Sequence, residues 1–409
     1  MRKIGIIGGG PSGIFAAINV KNENNEVYLF DKNDKIGEKL RITGNGRCNI
    51  TNTAYYDQFL DKILRNKNFM YSSFSKFDNY SMIDFLKSQH IDIKIEEKGK
   101  VFPKSDDSRE IIDMFDRLIE KRNIKFIGKS QIIKVDKLDN GKFIIKSDKD
   151  SYIFDDLIIA TGGLTYPKTG STGDGYKFAK NFGHQIIEPK ASLSPLYIKE
   201  KFPIKALNIS NVAIHAKGEN DSYLEYGDIL ISNSFITGPA AISFKARVCR
   251  DKLTKVWIDF LADYSKESLD KVIVDLINES PKKNLTNSLK SLINESLLEI
   301  ILERSKINKD IKSYELNKAM RHDIITMIKE FKLNLDTREN FNNAVITSGG
   351  IDVKEINPQS MESKLVKNLY FVGEVLDIDA LTGGYNLQIA FSTAYAASLA
   401  IKEKIWHIL

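Results

Sequence analysis

A strand that runs straight into a glycine-rich turn leaves a chain few folds to choose from, and this chain begins with one. Lys3-Ile4-Gly5-Ile6-Ile7 is a short apolar run suited to a strand buried on both faces, and Gly8-Gly9-Gly10-Pro11-Ser12-Gly13 follows it at once as Gly-x-Gly-x-x-Gly. Ile14 to Val20 is apolar enough for a buried helix, and Glu26 to Phe30 reads as a second strand ending on Asp31. The order strand, turn, helix, strand, acid suits a dinucleotide. Gly8 permits the tight turn, Gly10 lets the backbone approach a pyrophosphate, and Gly13 lets the helix pack close to the strand, while the helix N-terminus offers N–H groups to the phosphates. Asp31 lies 18 residues beyond Gly13, close to the spacing of about 20 at which an acid accepts from a ribose hydroxyl.

The rest of the 409-residue chain is consistent with that start. Its 42% hydrophobic content supports real cores and its length suggests about two or three domains. Two cysteines, Cys48 and Cys249, form neither a disulfide framework nor a metal pattern, which fits a reducing compartment, so a cytoplasmic protein without a bound metal is expected. Arg2 and Lys3 before an apolar run superficially resemble a signal peptide, but the strand, turn and helix account for them. No run of about 18 apolar residues suggests a membrane span. The charge of +6 comes from 60 basic and 54 acidic residues mixed along the chain, which reads as a solvated lysine-rich surface and not as a nucleic-acid footprint.

After Asp31 and Lys32, the stretch from Lys35 to Asn52 holds Lys39, Gly44, Asn45, Gly46, Arg47, Cys48 and Asn49, poor core material and a good extended cradle for a polar ligand. Cys48 reads either as a small residue beside a cofactor or as a packed thiol without chemistry. Helices are expected over 68–90 and 108–122, with a hairpin over 91–103 between them, and short strands follow, two of them turning at Asp139-Asn140-Gly141. Another buried strand, 155–160, ends in Ala160-Thr161-Gly162-Gly163 and should face the same ligand, with Asp174 as N-cap of the next helix. Ser192-Leu193-Ser194-Pro195-Leu196 marks a boundary. Beyond it a β-rich stretch gives way to amphipathic helices over 265–278, 287–304 and 315–331. Sheet-like sequence resumes near 344, and a last strand leads into Gly373-Glu374, then Gly384-Tyr385-Asn386-Leu387 and a final helix bearing Ala390, Ala394, Ala397 and Ala400. A carboxylate at a strand end and a Gly-Gly helix start suit the polar middle and ring end of a flavin.

The segments Gly8 to Gly13, Gly44-Asn45-Gly46-Arg47-Cys48-Asn49-Ile50-Thr51-Asn52, Tyr166 to Gly175, and Gly373-Glu374-Val375-Leu376-Asp377 with Gly383-Gly384-Tyr385-Asn386-Leu387 resemble, over nearly the whole chain, the BaiN-like flavoproteins, also called the aminoacetone oxidase family of FAD-dependent oxidoreductases. The resemblance implies an α/β fold: a Rossmann-like, glutathione-reductase-type FAD-binding domain over 1–191 and 344–409, interrupted by a β-rich insert over 192–264 and a helical insert over 265–343. By match to the family's motifs, Asp31 takes the adenosine ribose, Lys39 and Gly46 belong to the cradle, Ile132 meets the adenine by its backbone, and Glu374, Asn386 and Leu387 serve the ribityl and ring end. Pro11, Ser12, Lys32, Thr161, Gly162, Gly163, Gly373, Gly384 and Tyr385 complete the expected FAD contacts. This chain has Asp31 where the family usually has glutamate.

These features lead to an FAD-dependent oxidoreductase acting on a small organic molecule, with no nucleic-acid or membrane partner. No second glycine fingerprint marks a separate nicotinamide domain, so NAD(P)H would bind transiently as donor if it serves at all. The ring should lie near Tyr166, Pro167, Gly349, Gly350 and Tyr385. Tyr166, His184, Arg47 and Tyr385 are acid–base candidates by type, and the catalytic residue stays open. The rival reading is a flavin-bound module, a scaffold or nucleic-acid-modifying accessory, that acts through a partner.

Overall fold

Strand Arg2–Ile7 lies at the middle of a five-stranded sheet in the order Leu369–Phe371, Asp156–Ile159, Arg2–Ile7, Asn25–Phe30, Lys125–Ile127, every pair parallel. Parallel strands covered on both faces need continuous apolar sequence, and Ile4, Ile6, Val27, Leu29, Leu157 and Ile158 are all buried. The computed structural model describes residues 1–219 and 221–406.

Helix Pro11–Val20 covers one face, joined there by the long helix Tyr385–Trp406. Small residues let the two approach: Ala16, Ala17, Ala394 and Ala397 are buried, and Ser398 Oγ donates across the seam to the Ala16 carbonyl at 3.1 Å. Phe15 fills this layer against Phe77, Phe85 and Phe391, with ring centroids 4.9 to 5.3 Å apart, each buried ring contributing about 2 kcal/mol. Asp156 is a buried carboxylate inside the central sheet, and Arg2 neutralises it through two guanidinium nitrogens. A three-stranded antiparallel meander, Ile132–Lys137, Phe143–Ser147 and Ser151–Phe154, crosses from the third parallel strand back to the fourth. Its first turn closes at Gly141, φ +81°.

The chain divides into two units, Met1–Ser192 with Asn340–Leu409, and Leu193–Glu339. In the second, a six-stranded sheet runs in the order Leu196–Tyr197, Phe235–Thr237, Ser222–Ser232, Ala206–Gly218, Leu253–Asp259, Phe331–Leu333. Strands and helices here share one core: Ile214, Val256, Ile258 and Phe331 cluster with Leu269, Ile273, Leu298, Ile301 and Ile328. One face of this sheet is buried by the helices that follow it.

Other expectations are corrected in detail. The single helix over 68–90 is two, Lys67–Lys76 and Asn79–Ser88, because the Asp78 side chain caps the second by accepting from the Ser81 N–H at 2.7 Å. The helix over 287–304 is likewise Leu285–Leu289 and Glu295–Arg304, the latter capped by Asn294. Gly173, φ +75°, stands at the N-cap position where Asp174 was expected, and Asp174 is the first helical residue. The cradle from Lys35 to Asn52 holds one short helix, Glu38–Ile42, where an irregular segment was expected, and the chain after it turns through left-handed Gly44 and Asn45.

Candidate functional site

Strand order reverses between Arg2–Ile7 and Asp156–Ile159, and ligands of open α/β sheets bind at the carboxyl ends of the strands at such a point. Gly8 follows the first of these strands with φ +112°, and a Cβ there would lie 2.3 Å from the Ala160 carbonyl oxygen at the end of the other. A Cβ on Gly13 would fall 1.8 Å from the Gly8 oxygen, whereas one on Gly10 would meet nothing within 4 Å. Two glycines are therefore demanded by packing and the third faces open space. Helix Pro11–Val20 starts without a side-chain cap and with proline in its first turn, which leaves the N–H groups of Ser12 and Gly13 directed into that space.

Asp31 closes the end of the second strand. Its carboxylate accepts from the Gly9 N–H at 2.6 Å and the Asn33 N–H at 2.8 Å, and burial still pushes its pKa above the usual carboxylate value. The Lys32 ammonium is engaged by Thr172 and Asp174, and with the Asn33 amide on the Thr169 carbonyl it ties this strand end to the loop before helix Asp174–Asn181. Ile132 is buried at the start of the meander, and the Ser130 N–H donates to the Asp31 carbonyl.

The cradle is shaped by backbone. Gly44, Asn45, Gly46 and Cys48 all have positive φ, and a Cβ on Gly46 would meet nothing within 4 Å. The Arg47 guanidinium lies 4.2 Å over the Phe102 ring and pairs with Glu96 and Asp106, so it is engaged locally. Cys48 is fully buried and its thiol is pushed up to about 12 by burial, which makes it a packed thiol. The Asn49 amide, set by its neighbours, accepts from the Gly384 N–H at 3.0 Å and donates to the Thr51 and Val101 carbonyls.

Glu374 is the hub of the far end. One carboxylate oxygen accepts from the Thr347 N–H at 2.8 Å, and the other from Lys39 Nζ at 2.6 Å, while Lys39 also donates to Thr165 Oγ1 at 2.8 Å. Thr165 and Thr347 were not singled out from the sequence, where two threonines in separate loops carry no signal. Gly163 sits beneath this hub, since a Cβ on it would lie 2.3 Å from Thr347 Oγ1 and 3.0 Å from Glu374 Oε1. Thr161 Oγ1 is buried at the neighbouring strand end with no partner among the described residues, and Gly162 beside it has φ +71°. Gly373, φ +76°, donates its N–H to Thr393 Oγ1, and a Cβ on it would fall 2.6 Å from Ser12 Oγ.

Gly384, φ +93°, lies where a Cβ would be 2.3 Å from the Thr51 carbonyl, and helix Tyr385–Trp406 begins just after it. The Asn386 side chain is committed to the preceding loop, accepting from the Ala380 N–H at 2.9 Å and donating to the Ala380 and Leu381 carbonyls. What remains for a ligand is main chain, the first-turn N–H groups of Tyr385, Asn386 and Leu387. The open approach at Gly10 and Gly46, the orphaned Thr161 hydroxyl and this uncommitted helix start fit FAD.

Among the acid–base candidates, His184 belongs elsewhere: it is buried, with Nδ1 2.9 Å from Glu355 and Nε2 2.8 Å from Ser363 Oγ. Ser363 Oγ also accepts from the Leu365 and Val366 N–H groups, so its proton points to the ring and Nδ1–H donates to Glu355. Tyr385 is packed against Phe59, centroids 4.8 Å apart, and is nearly inaccessible. Tyr166 is half-buried, 5.9 Å from Lys39 Nζ to its ring centre, with φ +54°. Burial first, and the Glu374 charge second, raise its phenol pKa above the ordinary value, so it stays protonated at neutral pH.

A family model described as HI0933-like protein Rossmann domain matches residues 2–400. The chain is 30% identical over 408 residues to a ribosomal RNA dihydrouridine synthase of Haemophilus influenzae, covering 98% of each. It is 28% identical over 417 residues to a 3-dehydro-bile acid delta(4,6)-reductase of Clostridium scindens, covering 99% of this chain and all of that one. Among solved structures, the 3-ketosteroid-delta4-(5alpha)-dehydrogenase of Rhodococcus jostii RHA1 shares the fold with a TM-score of 0.54 at 10% identity, covering 98% of this chain and 97% of that one. No helix among the described residues is long and apolar enough to cross a membrane.

Proposed function

The chain belongs to the HI0933-like Rossmann family and is an FAD-dependent oxidoreductase, and from that premise we propose that it reduces a carbon–carbon double bond conjugated to a carbonyl. What carries this reading is the chemistry shared by the names of the two full-length relatives. Dihydrouridine arises by adding hydride and a proton across the C5=C6 bond of uracil, which is conjugated to C4=O. A delta(4,6)-reductase acting on a 3-dehydro compound adds them across bonds conjugated to a ketone.

In this reading Gly8, Gly10, Pro11, Ser12 and Gly13 hold the pyrophosphate, Asp31 and Ile132 the adenosine, and Lys39, Gly46, Thr161, Gly373, Glu374, Gly384 and Leu387 the remainder. When bound and reduced by NAD(P)H as external donor, FAD would supply the hydride. Hydride reaches the β-carbon, electrons move onto the carbonyl oxygen, and Tyr166 delivers the proton that completes the α-carbon. Its raised pKa keeps that proton in place until the enolate forms. Electrons pass directly to the organic acceptor in this reading, and Cys48 and Cys249, both buried, form no disulfide with each other.

Anaerobic stopped-flow absorbance tests the reading. NADPH or NADH should bleach the yellow protein, and 2-cyclohexenone or a uridine-containing RNA should restore its colour. In Tyr166→Phe the bleaching should be unchanged and the recovery about 100-fold slower. Recovery by quinones or oxygen alone, with every conjugated alkene inert, would overturn it.

A further inference from the structure

The second unit carries a sheet face that its core does not use. Register along the three inner pairs puts Leu224, His215, Trp257 and Lys332 side by side in one transverse row, because His215 opposes both Leu224 and Trp257 and Trp257 opposes Lys332. Directly opposed residues of antiparallel strands point to the same face. The next row is Ser222, Lys217 and Lys255, and on the other side Tyr226 opposes Ala213. The alternate residues Ile214, Ala216, Val256, Ile258, Phe331 and Leu333 lie in the helix-covered core.

Tyr226 is 61% exposed and Leu224 46%. The His215 and Trp257 rings lie parallel, centroids 4.9 Å apart and 4° between planes, and Lys255 Nζ sits 4.3 Å from the centre of the Trp257 ring. Lys217 and Lys255 face each other across the strands, a like-charge pairing that costs stability. Of the acids near this face, Asp259 is paired with Lys329 at 2.6 Å, and Glu330 is held mainly by Lys266 at 2.8 Å, with Lys255 at 3.7 Å. A sheet surface with one stacked ring pair and one exposed tyrosine, flanked by lysines set against one another, suits unpaired nucleobases and their phosphates.

We propose that this face binds a single strand of RNA, its bases against Tyr226 and the His215–Trp257 pair and its phosphates against Lys217, Lys255 and Lys332. This rests on the conjugated-alkene reading above and names the carrier of that alkene as a uridine within RNA. The even mixture of charge along the sequence is compatible with it, because strand pairing gathers lysines from three separate segments.

Fluorescence anisotropy of a fluorescein-labelled twelve-nucleotide oligouridylate with the full-length FAD-loaded protein tests the proposal. Affinity should fall as salt rises, and Lys217→Glu with Lys332→Glu should weaken it by about tenfold or more and flatten the salt dependence. Tyr226→Ala should weaken it several-fold and Trp257→Phe should retain it. Wild-type affinity that none of these changes alters, competition by inorganic phosphate alone, or no binding at all would overturn the face, as would self-association abolished by Tyr226→Glu. Flavin recovery with 2-cyclohexenone, which needs no strand, is measured in parallel. Its failure beside RNA binding of the expected kind overturns the reaction and leaves the face, and its success beside variant-insensitive binding overturns the face and leaves the reaction.

Discussion

The two units use their chains in opposite ways. In the first, the candidate site is made mostly of backbone: glycines where a Cβ would collide at Gly8 and Gly13, open approaches at Gly10 and Gly46, and free N–H groups at the starts of two helices. In the second, the features of interest are side chains that strand pairing assembles into rows, such as Leu224, His215, Trp257 and Lys332. Backbone recognition leaves a compact motif in sequence, because consecutive residues must adopt unusual conformations together. Side-chain rows leave no motif, since any strand can contribute any one member.

Substitutions that separate backbone from side chain sharpen this contrast. Gly13→Ala should have the largest effect: its Cβ would fall 1.8 Å from the Gly8 oxygen, with neither atom on a flexible side chain, so purified protein should carry essentially no flavin by its absorbance ratio. A colour as yellow as wild type would break the claim that packing dictates this glycine. Gly238→Ala is the matched change in the second unit, at φ +97° with Cβ 2.9 Å from the Asp228 oxygen. It should cost about 1–3 kcal/mol in denaturant unfolding and leave flavin content intact, and joint loss of both would erase the distinction.

The smallest effect lies with a side chain of the first unit. Burial holds the His184 imidazole below its ordinary value of 6.5, with Glu355 opposing in part. The neutral ring is thus the form the fold prefers, and its stabilisation is complete above about pH 6.5 and is lost as pH falls through the lowered value. His184→Gln should make melting temperature less dependent on pH between 6.5 and 5. A steeper dependence would show that the charged ring is preferred and that Glu355 outweighs burial.

The same contrast explains what could be read before folding. The strand, turn, helix and acid from Lys3 to Asp31 were legible because one local pattern encodes them, and Gly373-Glu374 and Gly384 because strand ends with glycine signal a close approach. Asn386 was expected to serve the ring end, but its amide reaches back to Ala380 and Leu381 through a loop whose path no periodicity announces. The break between Lys76 and Asn79 was hidden by apolar residues that keep helical spacing across it, and only the Asp78 cap decides it. Within the β-rich stretch, Ser222–Ser232 is one long strand, because Gly227 at φ +140° stays within the ladder where it reads as a breaker. The Lys39, Thr165, Glu374 and Thr347 hub joins four segments, and no pair of them is close in sequence.

Cys48 has a consequence for the lifetime of the protein. An enzyme that handles hydride in air releases hydrogen peroxide whenever oxygen intercepts the electrons, and the nearest thiolate is the usual casualty. With a thiol pushed up to about 12 by burial and no exposed surface, Cys48 stays protonated at neutral pH. A thiol held in this way reacts poorly with peroxide, so packing alone keeps the cradle's sulfur reduced, with no repair partner required.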